Sequence, residues 1–369
     1  MKPSKHKNYP KLLFLLCLVY SVPIYLNSQT TDVVLLNESE KERLQKTISE
    51  NTRANHLFDS ITRMADKHLL ERPRPLKTIF YEGMLPTHPD RIDTRKSLED
   101  INKVVTLVYA SYGNTGEKYP KKLKEFVMAW ADTYIPTGNT INENKFVPLF
   151  WAYYLFESHF SAEEKKKVQR WMTSIAEAQM ARPYTPNNNW EVKRHKIIAA
   201  VGCINDDTRM KTYAIKGLKD YITSAYYADG TSNDLKERDA LSYHNSGLKT
   251  AVAVFSSCTR FDSAFDLFSY TSDEGSSIEN SVAYVLPYAK GTAQRKEWTN
   301  TKVALDKERA AAGLAEYQPG MLFDPKEALP LFEWACYYNT EWYTLFGEKD
   351  LTDNYTKTWV GLLNSPVIR

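Results

Sequence analysis

From about Glu38 onward, apolar residues recur at helical spacing in segment after segment, and this period constrains the fold more than any other property of the chain. Leu123, Phe126, Val127, Trp130 and Tyr134 fall on one helix face, as do Val168, Trp171, Met172 and Ile175. Met210, Tyr213, Ala214, Leu218 and Tyr221 form a further face, and Leu248, Ala251, Val252 and Phe255 another. One-sided stripes of this kind are buried only by packing on one another, so these are amphipathic helices on a shared core. Start signals agree with the pattern. Ser161-Ala162-Glu163-Glu164 is a capping box, and Asp324-Pro325-Lys326-Glu327 puts a cap, a first-turn proline and an acidic residue in order. Strand signals are sparse. The connections Tyr134 to Asn139 and Arg182 to Asn187 are rich in Pro, Gly and Asn, with no linker-like break and no clean repeat. The expectation is an all-α chain, a single domain over 29–369 built from stacked helical hairpins.

A chain of 369 residues with 43% hydrophobic content can bury a sizeable core. Lys plus Arg number 48 against 45 Asp plus Glu, a net charge of +3 without the basic stripe that nucleic acid binding needs. Any anionic ligand must therefore be met by a local cluster. Ahead of the helices, Lys2, Lys5, Lys7 and Lys11 precede an apolar run from Leu12 to Leu26 and then polar Asn27-Ser28-Gln29-Thr30. That order is the order of a secretory signal peptide over 1–28, and Pro23 interrupts a run already short for a membrane span. The mature chain is expected to begin near Gln29 and to be periplasmic or secreted, an uncleaved anchor being the alternative. With Cys17 removed, Cys203, Cys258 and Cys336 are odd in number, widely spaced and set among apolar neighbours, which favours small buried side chains over a zinc site or a disulfide framework. Aromatic residues make up 13% of the chain, including 24 Tyr and 8 Trp. Flat rings beyond those needed by the core suit a carbohydrate groove, where they stack on sugar faces.

Two segments about fifty residues apart hold the candidate chemistry. In the second, Glu237-Arg238-Asp239-Ala240-Leu241-Ser242-Tyr243-His244, a helix running from Asp234 to Phe255 would put Lys236 on the face of Tyr243, with Arg238 flanking. A phenol beside cations can serve as a general base at lower pH than free tyrosine. The competing reading has the Tyr243 hydroxyl bonded to a buried amide and His244 packed in the core. In the first segment, Pro186-Asn187-Asn188-Asn189-Trp190 runs on to Arg194-His195, and Asn188 and His195 are seven apart, two helical turns on one side. Consecutive asparagines are poor helix formers, so they cap or precede the helix and leave amides free to point into a cleft. An amide and an imidazolium beside a carboxylate would neutralise it and ease loss of the adjacent carbon-bound proton. An asparagine-rich turn followed by an ordinary arginine and histidine is the bland alternative. The chain has no glycine-rich phosphate loop, no Gly-x-Ser-x-Gly and no His-Glu-x-x-His. Asp206, Asp207, Asp229 and Asp234 leave open the paired carboxylates of a glycoside hydrolase.

Several stretches together resemble the alginate lyase domain of polysaccharide lyase families five and thirty-eight, collinear from about residue 60 to 300. They are Leu76-Lys77-Thr78-Ile79-Phe80-Tyr81-Glu82-Gly83; Trp130-Ala131-Asp132-Thr133-Tyr134-Ile135-Pro136-Thr137-Gly138-Asn139-Thr140-Ile141-Asn142; Phe160 to Glu164 leading to Trp171-Met172; and Ser281 to Gly291. The resemblance implies an (α/α) toroid or incomplete barrel around a groove, cleaving a uronic acid polymer by β-elimination: alginate first, glucuronan next. It places the family's Tyr-His pair on Tyr243 and His244, with Tyr243 as base, acid or both, and its asparagine motif on Asn187, Asn188, Asn189 and Trp190. In family five a catalytic histidine directly follows the asparagines, whereas here Trp190 follows Asn189. That role then passes to His195 or to His244, and the displaced arginine leaves Lys236 or Arg238. This departure brings the chain nearer to family thirty-eight. Asn139, Arg194, Tyr284, Tyr288 and Arg295 are candidate substrate contacts, and no metal or organic cofactor is implied. A glycoside hydrolase on the same toroid and a non-catalytic uronan-binding protein are the alternatives.

Overall fold

The computed structural model describes residues 32–113, 116–183, 187–346 and 359–368; the leader expected over 1–28 and Pro186 lie outside them. Among the described residues the chain forms α1 (Glu38–Glu50), α2 (Thr52–His68), α3 (Pro89–Ser111), α4 (Lys118–Thr133), α5 (Thr140–Glu143), α6 (Val147–Leu155), α7 (Ala162–Met180) and α8 (Asn189–Ile204). There follow α9 (Thr208–Ala225), α10 (Asn233–Arg238), α11 (Leu241–Cys258), α12 (Ile278–Ala289), α13 (Ala304–Ala311), α14 (Leu329–Ala335) and α15 (Trp359–Leu363). Two-residue strands β1 (Lys296–Glu297) and β2 (Met321–Leu322) pair antiparallel.

Successive helices pack as hairpins in two layers. Helices α3, α6, α8, α11 and α14 form an inner series, each touching the next, and α2, α4, α7, α9 and α12 lie outside them. Sequence composition separates the layers. Outer helices carry one apolar stripe: in α7 the buried residues include Val168, Trp171, Met172 and Ile175, and in α9 Met210, Ala214, Leu218 and Tyr221. Inner α8 is instead apolar all round from Ile197 to Val201, as a helix with neighbours on every side must be. The Ser161–Glu164 capping box forms with both reciprocal bonds. Asp324 caps a single 3-10 turn, Pro325–Glu327, and α14 begins only at Leu329 with Pro330 in its first turn.

The amino-terminal segment Asp32 to Leu36 enters the inner layer. Val33, Val34, Leu35 and Leu36 are buried, and the hydroxyls of Tyr109 on α3 and of Tyr112, its C-cap, donate to the carbonyls of Asp32 and Val34 at 2.8 and 2.6 Å. Asp32 and Val33 lie against Trp151 of α6, Lys196 and Ala200 of α8, and Ala253 and Ser257 of α11. Cys203, Cys258 and Cys336 are free and buried.

One expectation fails. Asp234 to Phe255 is not one helix: α10 ends at Arg238, Asp239 takes a left-handed φ of +53°, and α11 starts at Leu241. Lys236 and Tyr243 therefore do not share a helix face. The corner is held from outside, because Arg295 Nη2 donates to Asp239 Oδ1 at 2.6 Å and the N–H of Asn300 to its Oδ2 at 3.0 Å. A short polar side chain can occupy this conformation when its neighbours satisfy it.

Candidate active site

The corner at Asp239 turns Tyr243, in the first turn of α11, toward the segment that follows β1. The Arg238 guanidinium lies 4.0 Å over the Tyr243 ring, and Nη1 of Arg309 on α13 donates to the Tyr243 hydroxyl at 2.9 Å and to that of Tyr317 at 3.1 Å. Trp298 meets the Tyr243 ring edge to face at 5.8 Å. Between the two arginines sits Asp306, 1% exposed, whose carboxylate oxygens accept from Arg238 Nη1 at 2.6 and 2.7 Å and whose Oδ1 lies 3.6 Å from Arg309. One tyrosine hydroxyl is thus held by one cation while its ring lies under another, and a buried carboxylate fixes both cations.

Asp234 joins the two sequence segments. Its Oδ2 accepts from the N–H of Asn189 at 3.0 Å, and its Oδ1 is 3.6 Å from Arg238 Nε. Burial raises its pKa above the ordinary carboxylate value, and Arg238 and the Asn189 N–H oppose that rise. Asn233 Nδ2 donates to the Asn187 carbonyl at 3.2 Å, so α10 and the asparagine turn are fastened side by side. Asn188 is the N-cap of α8, its Oδ1 accepting from the N–H of Trp190 at 3.0 Å. Its amide nitrogen makes no hydrogen bond to the described residues, and Asn189 behind it is buried. The Trp190 ring lies 5.3 Å under the Arg182 guanidinium.

The two histidines expected to serve as acid or base are both inside the protein. His195 does not join Asn188. As N-cap, Asn188 has extended backbone, φ −143° and ψ −168°, so helical counting does not begin there, and the ring turns instead toward α9. His195 Nε2 is 2.8 Å from Glu191 Oε1, and its ring lies so close to Gly217 that a Cβ there would come within 1.9 Å of it. Arg194 is also turned away from the asparagines: Nε donates to the Gln179 carbonyl at 2.9 Å and the guanidinium reaches the Tyr213 hydroxyl, which locks α7, α8 and α9 together. His244 is buried with Nδ1 2.8 Å from Ser232 Oγ, and burial pushes its pKa down to about 4, so the ring is neutral near neutral pH.

The remaining candidates fall around the site or in its supports. Lys236 is exposed, 3.2 Å over the Tyr227 ring. The Tyr284 ring is 5.8 Å from both His244 and Tyr288, and burial raises its hydroxyl to about 12. Arg295 holds the Asp239 corner. Asn139 caps α5 through the N–H of Asn142 at 3.1 Å, and Asn142 in turn accepts from the N–H groups of Tyr81 and Glu82 at 3.1 and 3.2 Å. The Pro-Thr-Gly-Asn signature is therefore the mount of the early loop. Asp206 and Asp207 sit past the C-terminus of α8, about 24 Å of helix from Asn188, and Asp229 caps an exposed turn, so these aspartates form no carboxylate pair. Trp298, Asp306, Arg309 and Tyr317 were not anticipated. Their one sequence signal is an Asp and an Arg three apart in a short helix, a spacing that surface ion pairs also use.

The molecule is a stack of helical hairpins carrying a tyrosine held by arginines next to an asparagine-capped helix. The model of the alginate lyase family matches residues 41–298, and the chain belongs to that family, a family of polysaccharide lyases. No curated protein matches it. Among solved structures, an alginate lyase from Bacteroides ovatus aligns with a TM-score of 0.63 at 17% identity, over 88% of this chain and 97% of that one. Alginate lyase A1-III from Sphingomonas species A1 aligns with a TM-score of 0.50 at 15% identity, over 78% and 92%. A Tyr-to-Phe variant of A1-III complexed with tetrasaccharide gives 0.51 at 15%, over 81% and 95%. At these identities the likeness is one of fold, the (α/α) toroid.

Proposed function

We propose that the chain cleaves a uronic acid polymer by β-elimination, alginate first and glucuronan next, with Tyr243 as the proton-transferring group. The observation that carries this is the Tyr243 hydroxyl accepting from Arg309 at 2.9 Å while Arg238 covers its ring. A donor that stays on the oxygen throughout stabilises the phenolate that a base must be before it takes the C5 proton. The same oxygen, once protonated, can return that proton to the departing O4. Carboxylate neutralisation falls to the amide nitrogen of Asn188, unbonded among the described residues, with its neighbour Asn189, because an amide N–H at the acidic sugar's carboxylate lowers the cost of the carbanion beside it. His195 and His244, both enclosed, support the fold of the site and leave the proton chemistry to Tyr243. Asn189-Trp190 in place of an asparagine-histidine step supports a position nearer family thirty-eight. The saccharide complex of A1-III supports an oligosaccharide in the groove of this fold. The charged, apolar and polar order of 1–28 supports export to the periplasm or medium.

The test is an ultraviolet time course on polymannuronate, polyguluronate, glucuronan and neutral glycans. A conjugated unsaturated uronate from one uronan is the expected result. New reducing ends without that chromophore would replace elimination with hydrolysis.

A further inference from the structure

Below the asparagine turn, the inner faces of three helical elements bring cations together. On α8, Asn189, Lys193, Lys196 and Ala200 follow one another at spacings of four, three and four, a single stripe in which Lys193 lies about 6 Å of helix rise below Asn189. On α11, Asn245, Lys249, Ala253 and Ser257 repeat at intervals of four. Ala200, Ala253 and Ser257 meet at the lower end of the two stripes, against Asp32 and Val33, which fixes both as inward faces of the ring. Lys145, in the turn before α6, leans on the Tyr81 ring at 4.8 Å.

Lys196 is paired with Asp32, whereas Lys145, Lys193 and Lys249 make no ion pair with the described residues. All three keep part of their surface accessible although protein surrounds them. Burial works against their charge. Burial, reinforced by Lys145 and the other lysines, pushes Lys193 down to about 7, and burial lowers Lys145 and Lys249 as well. A second observation comes from Asn245, one turn from Lys249, 5% exposed, with neither Oδ1 nor Nδ2 hydrogen-bonded among the described residues. Asp234 offsets part of the cost at Lys193, and Asp32 part of it at Lys145 and Lys249, yet cations without a direct ion pair among the described residues and an unsatisfied buried amide are each unfavourable. An anion with several acceptor oxygens would satisfy both.

Building on the lyase reading, we propose that Lys145, Lys193, Lys249 and the Asn245 amide form a carboxylate-binding subsite on the groove floor, taking a uronate unit adjacent to the one at Tyr243. Asp32, on Lys196, marks its lower limit. The subsite selects acidic sugars over neutral ones independently of the bond-breaking step.

Calorimetric binding of saturated uronate trisaccharides, and of the same trisaccharides with their carboxyls reduced to alcohols, tests this in the Tyr243→Phe chain. Lys193→Gln and Lys249→Gln are each expected to weaken binding of the acidic trisaccharide about tenfold, while the reduced trisaccharide binds all three proteins alike. The lysines stand on different helices, so a folding defect in one variant, monitored by circular dichroism, leaves the other to decide. Unchanged affinity for the acidic trisaccharide in a folded variant overturns the subsite, whatever the turnover. If the unsubstituted enzyme eliminates no uronan but the lysine dependence of binding holds, the lyase reading fails and the subsite stands.

Discussion

Replacing Asp306 by Asn is the sharpest probe of the arginine arrangement. The side chain keeps its shape and loses its charge, leaving Arg238 and Arg309 as adjacent cations with Asp234 as their remaining carboxylate near Arg238. Breaking a buried ion pair from one side costs about 3–5 kcal/mol. Asp306 is at the buried extreme, but the side chains of Arg238 and Arg309 are 17% and 14% exposed and recover some hydration, so the lower end, about 3 kcal/mol, is expected. Roughly 2 °C of melting temperature per kcal/mol turns this into a drop of about 6 °C. Urea unfolding gives the free energy directly, and the double variant Asp306→Asn with Arg238→Met should lose less than the two single losses added, because it also removes one stranded cation. With both arginines released from the Tyr243 ring and hydroxyl, turnover should fall as well. A loss below about 1 kcal/mol, the range of exposed pairs, together with unaltered turnover would refute the claim that Asp306 organises the site.

Tyr243→Phe should lower kcat by about 10²–10⁴ while substrate affinity changes little; a variant near full activity would remove Tyr243 from the chemistry. Gly217→Ala puts a methyl group against the enclosed His195 ring and should cost about 1–3 kcal/mol in thermal or urea unfolding, with activity per folded molecule retained. Loss of activity without loss of stability would instead return His195 to the active site. His244 contributes a pH dependence of known sign: with a folded value of about 4 against 6.5 unfolded, the unfolded chain binds more protons between these values, so stability falls as pH drops from about 6.5 to about 4 and then levels. The full difference is about 3 kcal/mol, and His244→Gln should flatten that part of the pH–stability curve.

The hairpin architecture was legible because helical periodicity is local: the stripes through Trp130, Trp171, Leu218 and Phe255 are buried where the period put them, apart from half-buried Tyr213. Asn188 as a cap was legible for the same reason, since its reach is two residues. The break at Asp239 was not, because partners from Arg295 and Asn300, far along the chain, stabilise its left-handed backbone. Nor was the inward turn of His195, which depends on a missing Cβ at Gly217 across a helix interface. The groove-floor lysines are ordinary singly, and only packing of separate elements collects them.

The burial of Asp32 to Leu36 among α3, α6, α8 and α11 has a consequence for how the molecule is made. Asp32 to Leu36 find their partners at Tyr109, Lys196 and Ala253, so this stretch must wait, unpacked and apolar, until more than two hundred later residues exist. Contacts so distant along the chain slow folding, and the waiting segment is the piece most open to capture by a chaperone. An affinity handle joined directly ahead of Asp32 would have to find its way out of the ring.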